Sequence, residues 1–445
     1  MNSKFKIING SVGAPQGFLA SGVFCDIKRL GTGKGSDKGN KRDLALIVSE
    51  APATVAGMFT TNQVCAAPVK VCIGRVKKGT ARAVVINSGN ANACTGKQGL
   101  QDAREMVRYA ERALNFPKGS VLVGSTGRIG VTLPMDNVRA GIIEACVELG
   151  STAGHAARAV EAIMTSDTRP KQIALEFKLG GKMVRIGGMC KGAGMIQPGM
   201  SGTGARPAAR PRALHATMLG FITTDAAIEA KVLQAALQEA VAQSFNRITV
   251  DGDMSTNDTV LVLANGLAGN KNIQHSTFNI QHRTFQAALN HVCLELAKMI
   301  VRDGEGVHRV VTVRVNGAKT VADADAAARA VANSPLVKTS WHGGDPNWGR
   351  IIDALGYSPA KIIEGKVDIG YSSANSKTIL WSLKRGQPTK ATFKQLCAAV
   401  APKEFDLHIN LNLGPASAVI YAADLTEAYV DFNKGDVGDP GSLGG

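Results

Sequence analysis

The segment ATMLGFITTDA (216–226) places a small residue, a hydroxyl-bearing threonine and an apolar run in direct succession. A threonine can act as a nucleophile when its own freed α-amine serves as the base. An α-amine has an intrinsic pKa of about 8, so much of it can accept a proton at neutral pH. Such chemistry requires cleavage of the peptide bond between Ala216 and Thr217. The alternative is that Thr217 is an ordinary structural residue at the start of a strand.

The residues before this segment have a different character. SGTGARPAARPRALH (201–215) contains two prolines, two glycines and three arginines but no apolar period. A segment of this composition cannot pack into a core, so it predicts a flexible surface loop. A flexible loop directly ahead of Ala216 is compatible with cleavage after that residue.

The composition is typical of a soluble globular protein, because 44% of the residues are hydrophobic and 19% are charged. The length of 445 residues suffices for two or three ordinary domains. The sequence has no run of eighteen apolar residues, and its first residues lack the apolar core of a signal peptide. We therefore expect a cytoplasmic protein that makes no contact with a membrane.

The cysteines and histidines predict no metal site. The eight cysteines include no CxxC pair, and the eight histidines form no HExxH motif or other short metal-binding spacing. Reduced thiols, most of them buried, are the expected state of the cysteines. The glycine- and lysine-rich stretch 31–41 lacks the residue order of a phosphate-binding loop, so no nucleotide cofactor is predicted either.

The net charge of +16 raises the question of a nucleic-acid partner. The basic residues are spread along the chain, apart from concentrations at 28–42 and 206–212. Neither concentration contains interleaved aromatic residues on which bases could stack. A basic surface that attracts anionic amino-acid substrates, or keeps the protein soluble, explains the charge equally well. No nucleic-acid partner is predicted.

Runs rich in β-branched residues alternate with helical patterns, which predicts an α/β class with layered sheets. Strands are predicted at 43–50, 81–87, 120–124, 172–179, 258–265 and 309–315. Helices are predicted at 136–149, 228–241 and 285–301, where apolar residues recur with a helical period. Thr223 and Asp225 precede the second of these helices and are expected to cap its start.

Three glycine-containing motifs carry candidate site residues. In GSTGRIG (124–130), a threonine hydroxyl and exposed backbone N–H groups could hold an oxyanion, although an ordinary strand-ending turn has the same composition. In CKGAGM (190–195), Lys191 could meet a carboxylate. In RDGEG (302–306), Glu305 could bind a substrate ammonium group. Lys191 could equally be an ordinary surface side chain, and Glu305 could equally cap a helix or face water.

Two further motifs, NSGNANACTG (87–96) and HGGDPNWGR (342–350), contain more Asn, Gly and Asp than a simple turn requires. They indicate backbone that is held in position near a functional site or, alternatively, segments with a purely structural role. Together with IMTSDT (163–168) and TVDGDMSTNDT (249–259), these motifs resemble, in content and order, the glutamate N-acetyltransferase/ornithine acetyltransferase family. The resemblance extends over nearly the whole length, from residue 13 to residue 433.

The resemblance implies a role for each matching position. Members of the family are self-processing enzymes of the N-terminal-nucleophile type, so Thr217 would become a new N-terminus and the acyl acceptor. Thr126 and Gly127 would form the oxyanion hole. The positions that would bind the amino-acid substrate are Thr165, Lys191, Thr217, Glu305 and Asn433.

The implied reaction is ping-pong acyl transfer in arginine biosynthesis. Thr217 would take the acetyl group of N2-acetylornithine and release ornithine, after which glutamate would take the acetyl group and become N-acetylglutamate. The resemblance leaves open whether acetyl-CoA is also a donor, and it implies no other cofactor and no metal. The alternatives are a self-processing amidase or aminopeptidase that uses water as acceptor, and a non-enzymatic basic binding protein.

The resemblance also implies an architecture. The fold would be α/β (α+β), an αββα-type layered sandwich with a smaller C-terminal α/β lobe at about 308–395. Residues 1–216 would form an alpha chain that ends at the self-cleavage site, and residues 217–445 a beta chain that begins with the nucleophile strand. The two chains would stay together and pair further into a heterotetramer.

The sequence departs from the family in two places. In the family, ATML follows almost directly after a KGxGMIxPxM run, whereas here residues 201–215 separate Met200 from Ala216. The family usually ends with a Tyr and a terminal Thr or Ser shortly after the matching Asn, whereas Asn433 is followed by KGDVGDPGSLGG. One pocket contact is therefore missing or supplied differently, and the sequence leaves open how the insertion affects cleavage.

Overall fold

The computed structural model describes residues 5–28, 41–204, 218–274 and 280–434. Ala216, Thr217 and the insertion beyond Gly204 lie outside the described residues. The chain divides into two compact units, each with its own sheet. The first unit comprises the residues up to 246 together with 254–300, and the second comprises 247–253 and 301–434.

The first unit combines a nine-stranded sheet with helices. Its strands are β1 (Lys6–Ile8), β2 (Phe18–Val23), β3 (Leu44–Phe59), β4 (Thr80–Asn90), β5 (Val121–Arg128), β6 (Lys171–Leu179), β7 (Lys182–Lys191), β8 (Leu219–Thr224) and, after β9 of the second unit, β10 (Thr259–Ala264). Its helices are α1 (Ala67–Val76), α2 (Gly96–Ala113), α3 (Met135–Val147), α4 (Ala153–Ile163), α5 (Ala230–Ala242) and α6 (Ile280–Arg302), which ends just past the unit boundary.

The sheet of the first unit has the strand order β1-β6-β7-β8-β10-β3-β4-β5, with β2 attached to β3. The 16 residues of β3 allow it to pair along one edge with both β2, through 44–49, and β10, through 54–59. Helices α4 and α5 both pack against β3. Because it is covered in this way, β3 is apolar and buried over most of its length, as in strands with both faces enclosed.

Strand β8 lies in the middle of this sheet, between β7 and β10. Leu219, its first residue, is opposite Thr259 of the parallel strand β10 and opposite Lys191 of the antiparallel strand β7. All the residues of β8 are buried. The register therefore places Lys191 beside the start of the strand that follows Thr217 and Met218 in sequence.

The second unit is built on a seven-stranded sheet with five helices. The strands are β9 (Ile248–Thr249), β11 (Val310–Ala318), β12 (Asp368–Ser373), β13 (Leu380–Lys384), β14 (Gln387–Pro388), β15 (Glu404–Asn410) and β16 (Ala416–Ala423). The helices are α7 (Val321–Asn333), α8 (Pro335–Gly343), α9 (Trp348–Gly356), α10 (Phe393–Val400) and α11 (Glu427–Phe432).

The strand order of this sheet is β14-β13-β12-β15-β11-β16-β9. In β11, the side chains of Val311, Val313 and Val315 lie in a core that the strand shares with α7, while the residues between them face the other way.

The predicted α/β class is confirmed, and every predicted strand matches an observed one. The predicted segments correspond to β3, β4, β5, β6, β10 and β11, each of which begins within one residue of its predicted start. The three predicted helices correspond to α3, α5 and α6. None of the helices in the described part of the chain is long and apolar enough to span a membrane.

The predicted cap of helix α5 is wrong. Thr223 lies inside β8, where its hydroxyl donates a hydrogen bond to the carbonyl of Val12. Asp225 accepts the backbone N–H groups of Gln16 and Arg185. Both side chains are engaged by neighbouring segments of the first unit, and α5 begins after Glu229, which makes no side-chain capping bond.

The packing of α4 on β2 predicts opposite effects for two glycine substitutions. A Cβ added to Gly22 of β2 would lie 2.1 Å from the Arg158 carbonyl oxygen, so backbone must shift. We expect Gly22→Ala to lower the free energy of unfolding by about 1–3 kcal/mol, the usual cost of overpacking. Gly74, exposed in α1 with open space around its Cα, is the matched control: Gly74→Ala should stabilise by about 0.5–1 kcal/mol. Urea unfolding of the two variants measures both effects, and equal midpoints would contradict the packing argument.

Candidate active site

The ends of β4 and β5 meet backbone to backbone. The two strands are parallel, with Ser88 opposite Thr126 and Gly89 opposite Gly127. Gly127 has a φ of +131°, and a Cβ added to it would lie 2.3 Å from the carbonyl carbon of Gly89. Any side chain at residue 127 would therefore separate the two strands, and this close contact fixes the position of the neighbouring Thr126.

Thr126 is completely buried, yet its hydroxyl oxygen has no hydrogen-bond partner among the described residues. Leaving a buried hydroxyl unpaired costs about 1–3 kcal/mol. The adjacent Ser125 hydroxyl is also buried and unpaired, but successive side chains of a strand face opposite sides. A donor held rigid and unpaired beside a glycine N–H is the arrangement that an oxyanion hole requires.

The loop before β10 connects these strand ends to the rest of the site. The side-chain amide of Asn257 donates to the carbonyl of Ala91, at 2.7 Å, and to that of Ser125, at 2.8 Å. The Thr256 hydroxyl in turn donates to the Asn257 side-chain oxygen at 2.6 Å. Asn257 therefore fixes both backbone segments, the one after β4 and the one that carries Thr126.

The next residue, Asp258, holds the backbone that leads into β8. Its Oδ1 accepts the Met218 N–H at 2.7 Å, and the Met218 carbonyl accepts the Thr259 N–H at 3.1 Å. Burial raises the pKa of the Asp258 carboxyl well above its usual range, although the Met218 hydrogen bond and the Lys191 charge oppose the rise. Oδ2 of Asp258 makes no hydrogen bond with the described residues. Burial therefore favours a protonated carboxyl next to the residue that follows Thr217.

Asp167 joins two of the predicted site segments. Its carboxylate accepts the Thr165 N–H at 2.9 Å, the Gly192 N–H at 2.8 Å and the Lys171 ammonium at 2.5 Å. Burial alone would raise the pKa of Asp167, but the charges of Lys191 and Lys171 and these hydrogen bonds together hold it below its usual range. Asp167 is therefore an anion, and it fixes the backbone beside Thr165 and Lys191. Lys191 itself is only 2% exposed.

In the second unit, Glu305 and Asn433 contact each other. The Asn433 side-chain amide donates to Glu305 Oε2 at 3.1 Å and to the Tyr429 carbonyl at 2.9 Å. The Thr426 hydroxyl, which caps α11, donates to the Gly306 carbonyl at 2.7 Å. The turn that carries Glu305 and the helix that precedes Asn433 are thus bonded to each other.

The structure brings the predicted residues together in two groups. Within the first unit, Asn257 and Asp258 connect Thr126 and Gly127 to the start of β8, while Asp167 connects Thr165 to Lys191. Within the second unit, Glu305 and Asn433 form a pair. Ala216 and Thr217, predicted as cleavage site and nucleophile, lie outside the described residues, next to Met218.

The sequence analysis missed Asp167, Asn257 and Asp258. All three lie inside motifs that were singled out, IMTSDT and TVDGDMSTNDT, but no role was given to them. The available signal was the position of an amide and an acid directly before β10, a wholly buried strand with five apolar residues in succession, where an unpaired polar side chain would be costly. In HGGDPNWGR, Asn347 caps α9 by accepting the Arg350 N–H, so this part of that motif is scaffold.

Sequence comparisons with a family model and with curated relatives extend over nearly the full length of the chain. The sequence model of the ArgJ family matches residues 22–435. An arginine biosynthesis bifunctional protein ArgJ from Symbiobacterium thermophilum is 47% identical, with 95% of this chain and 98% of the relative covered. A glutamate N-acetyltransferase from Methanocaldococcus jannaschii is 43% identical, with 96% and 98% covered. A solved structure of ornithine acetyltransferase complexed with ornithine, from Mycobacterium tuberculosis, is 38% identical, with 44% of this chain and 100% of that chain covered at a TM-score of 0.40.

The extent of these matches decides the family. The family model leaves out only the first 21 and the last ten residues (445 − 435 = 10). Both curated relatives align along almost their whole length at well over 30% identity. The chain therefore belongs to the ArgJ family.

Proposed function

We propose that this chain is an acetyltransferase of arginine biosynthesis that moves the acetyl group of N2-acetylornithine to glutamate, giving ornithine and N-acetylglutamate. Membership of the ArgJ family supports the proposal, since full-length relatives are named arginine biosynthesis bifunctional protein and glutamate N-acetyltransferase. The observation in this chain that carries it is the Thr126 hydroxyl beside Gly127, which is buried and has no hydrogen-bond partner among the described residues. The proposed substrates are small amino acids.

Acylation starts from Thr217 as an N-terminal residue. Its α-amine accepts the hydroxyl proton while the oxygen attacks the acetyl carbonyl carbon of N2-acetylornithine. The Thr126 hydroxyl and the Gly127 N–H stabilise the charge that develops on the carbonyl oxygen. The C–N bond then breaks, the proton passes to the departing nitrogen, and ornithine leaves an acetyl ester on Thr217.

Glutamate completes the cycle. Its uncharged α-amine attacks the ester carbonyl carbon, and the same two donors stabilise the oxyanion. The Thr217 oxygen leaves and takes up the proton that the attacking nitrogen gives up, so that N-acetylglutamate is released from the regenerated enzyme. An ester is more reactive toward an amine than the amide from which it came, which favours this second transfer.

Asp258 is proposed as a positioning residue for the nucleophile. The N–H that it accepts belongs to Met218, the residue joined by a peptide bond to Thr217. Because this hydrogen bond lies in a fully buried setting, the peptide that follows the nucleophile cannot rotate without loss of the bond. Asn257 acts in the same way on the Thr126 strand through the Ser125 carbonyl.

The charges of the substrate are assigned to side chains of opposite sign. Each substrate carries an α-carboxylate and one ammonium group, which is the side-chain δ-ammonium in N2-acetylornithine and the α-ammonium in free glutamate, so its recognition needs one cation and one anion. We assign the carboxylate to Lys191, with Thr165 as a polar neighbour, and the ammonium group to Glu305, with Asn433 as its hydrogen-bond partner. Burial of Lys191 in a low-dielectric setting strengthens its attraction for an anion.

Self-processing is part of the proposal. Cleavage between Ala216 and Thr217 yields an alpha chain of 216 residues and a beta chain of 229 residues (445 − 216 = 229). We propose that the two chains stay together after cleavage and that two such pairs form a heterotetramer in the cytoplasm. No bound cofactor enters this scheme, and acetyl-CoA enters only as a second acetyl donor, which an assay without N2-acetylornithine detects.

Denaturing electrophoresis with N-terminal sequencing tests the nucleophile. We expect two chains, the second beginning TMLG, and an acetyl group on that chain after incubation with N2-acetylornithine alone. Thr217→Ala should stay whole and transfer nothing, because cleavage and transfer both need the hydroxyl. Glutamate should accelerate loss of the acetyl group from the wild-type enzyme, whereas an amidase would release it to water at the same rate without glutamate. Full transfer activity in Thr217→Ala would refute the mechanism.

Deletion of part of the insertion provides a second test of self-cleavage. Ser201 and Phe59 exchange backbone hydrogen bonds at 2.8 and 2.9 Å, so a deletion should start after Gly204. Removing 205–215 joins Gly204 to Ala216 and approaches the spacing of the family. We expect this variant to be cleaved as fast as the wild type or faster. A folded deletion variant that stays uncleaved would show that the insertion takes part in processing.

The oxyanion assignment is tested by a pair of adjacent hydroxyls. Thr126→Val keeps the shape of the side chain and removes its donor, so we expect kcat to fall about 10²–10³-fold. Denaturing gels report separately whether the variant is still cleaved into two chains. Ser125→Ala removes a hydroxyl that is likewise buried and without a hydrogen-bond partner among the described residues but faces the other side of β5. Its kcat should stay within a few-fold of wild type. Steady-state kinetics that rank the two variants in the reverse order would assign the oxyanion hole to Ser125.

Substrate binding is tested in the second unit. Glu305→Gln keeps an acceptor for Asn433 but removes the charge, so we expect KM to rise for both N2-acetylornithine and glutamate because the two ammonium-bearing molecules use the same residue. Glu404→Gln is the control, since Glu404 pairs with Arg302 on the surface of the same unit, at 2.8 Å. That control should leave both KM values unchanged. An unchanged pair of KM values in Glu305→Gln would remove Glu305 from the substrate site.

A further inference from the structure

The second unit gathers three potential metal ligands that are far apart in sequence. His308 lies two residues before β11, His342 is the penultimate residue of α8, and Asp424 directly follows β16. One imidazole nitrogen of each histidine and one carboxylate oxygen of Asp424 all lie within 4.8 Å of one another. The two rings are in edge contact, with their centroids 5.6 Å apart.

Asp424 supplies an oxygen that the described residues leave unpaired. Its side chain is fully buried, and Oδ1 accepts the backbone N–H of His308 at 3.0 Å. Oδ2 lies 3.5 Å from His342 Nδ1 and 4.0 Å from His308 Nδ1 but takes part in no hydrogen bond. A buried carboxylate oxygen without a partner is costly, and a bound cation would remove that cost.

His342 is oriented as a metal-binding histidine is. Its Nε2 lies 2.9 Å from Glu427 Oε2, so the tautomer with its proton on Nε2 donates to that carboxylate and leaves the lone pair of Nδ1 facing Asp424. Nδ1 is buried and has no hydrogen-bond partner among the described residues. Histidines that bind metals typically donate the other ring N–H to a carboxylate, which fixes the tautomer and the ring orientation.

Two basic side chains lie close to this cluster, and each has other partners. The Lys338 ammonium donates to the Ala423 carbonyl, and burial lowers the pKa of this lysine to about 8. The Arg309 guanidinium donates to the carbonyls of Trp341 and His342. Neither of them hydrogen-bonds to Asp424 Oδ2.

We propose that His308 Nδ1, His342 Nδ1 and Asp424 Oδ2 bind a divalent transition-metal cation of the zinc class, a site beyond the proposed acetyl transfer. Two imidazoles and one carboxylate form a common ligand set for such ions, with the remaining positions left to water. Tetrahedral zinc holds its ligand atoms roughly 3.4 Å apart at bond lengths of about 2.1 Å. The observed separations are 3.5 and 4.0 Å to Asp424 and at most 4.8 Å between any two of the ligand atoms, so zinc binding requires these atoms to approach one another by up to about 1.4 Å.

A cation here would join three separate segments of the second unit. The segment of His308 begins three residues after Glu305, and Glu427, which orients His342, opens the helix that leads to Asn433. Metal binding would thus stabilise the unit that carries this pair, so its effect is visible in stability as well as in binding.

Zinc binding to the full-length protein, without a histidine tag and after chelator treatment, tests the proposal. For the wild type, equilibrium dialysis with metal analysis should find one zinc ion per copy of the 445-residue sequence, and zinc should raise Tm. We expect His308→Gln and His342→Gln each to weaken zinc binding by about 10-fold or more and to lose the rise in Tm. The His308 ring is half-exposed, and the glutamine of His342→Gln can still donate to Glu427, so both variants should fold.

Two control variants separate this site from incidental zinc binding. His155→Gln removes a histidine in the first unit that contacts Thr152, and Cys94→Ala removes an exposed thiol. Both should bind zinc as the wild type does. Less than one zinc ion per wild-type chain, or equal affinity in His308→Gln and the wild type, would overturn the proposal. Loss of binding in Cys94→Ala alone would do the same.

Discussion

The hydrogen bond from the Met218 N–H to Asp258 is the contact on which the rest of the candidate site depends. It joins the start of β8 to the residue that precedes β10, and the pairing of these two strands continues from it in register. On its other edge, β8 pairs with β7 and brings Lys191 to the same end. A break in this bond would displace the strand that follows Thr217 relative to both neighbours.

The polar groups around this bond are embedded in an apolar sheet. Asp167, Asp258 and Lys191 are buried, and the two acids respond in opposite ways. Two lysines and backbone donors keep Asp167 charged, whereas Asp258 has one donor and a raised pKa. Arrangements of this kind cost folding free energy and persist where a function needs them. The Thr126 hydroxyl, buried without a partner in the part of the chain that the structure describes, carries the same cost.

Strands were predictable because burial of both faces leaves a long apolar run, as β3 and β10 show. The prediction of the α5 cap was wrong because Thr223 and Asp225 form hydrogen bonds with segments that are remote in sequence. Family motifs pointed to Thr126 and Lys191 but gave no role to Asp258, whose importance comes from a partner 40 residues away. The ligand cluster around Asp424 was missed for the same reason, since metal motifs in sequence are recognised by short spacing.

The position of the insertion follows from what holds its two ends. Ser201 is paired with Phe59 on one side, and Met218 is bonded to Asp258 and Thr259 on the other, all within the first unit. The segment between these anchors has to close a loop, and doubling the length of a loop adds only about 0.6 kcal/mol of entropic cost. The downstream anchor, the hydrogen bond from Met218 to Asp258, involves none of residues 201–215. A family fold can therefore accept added residues directly before its proposed nucleophile at little cost in stability.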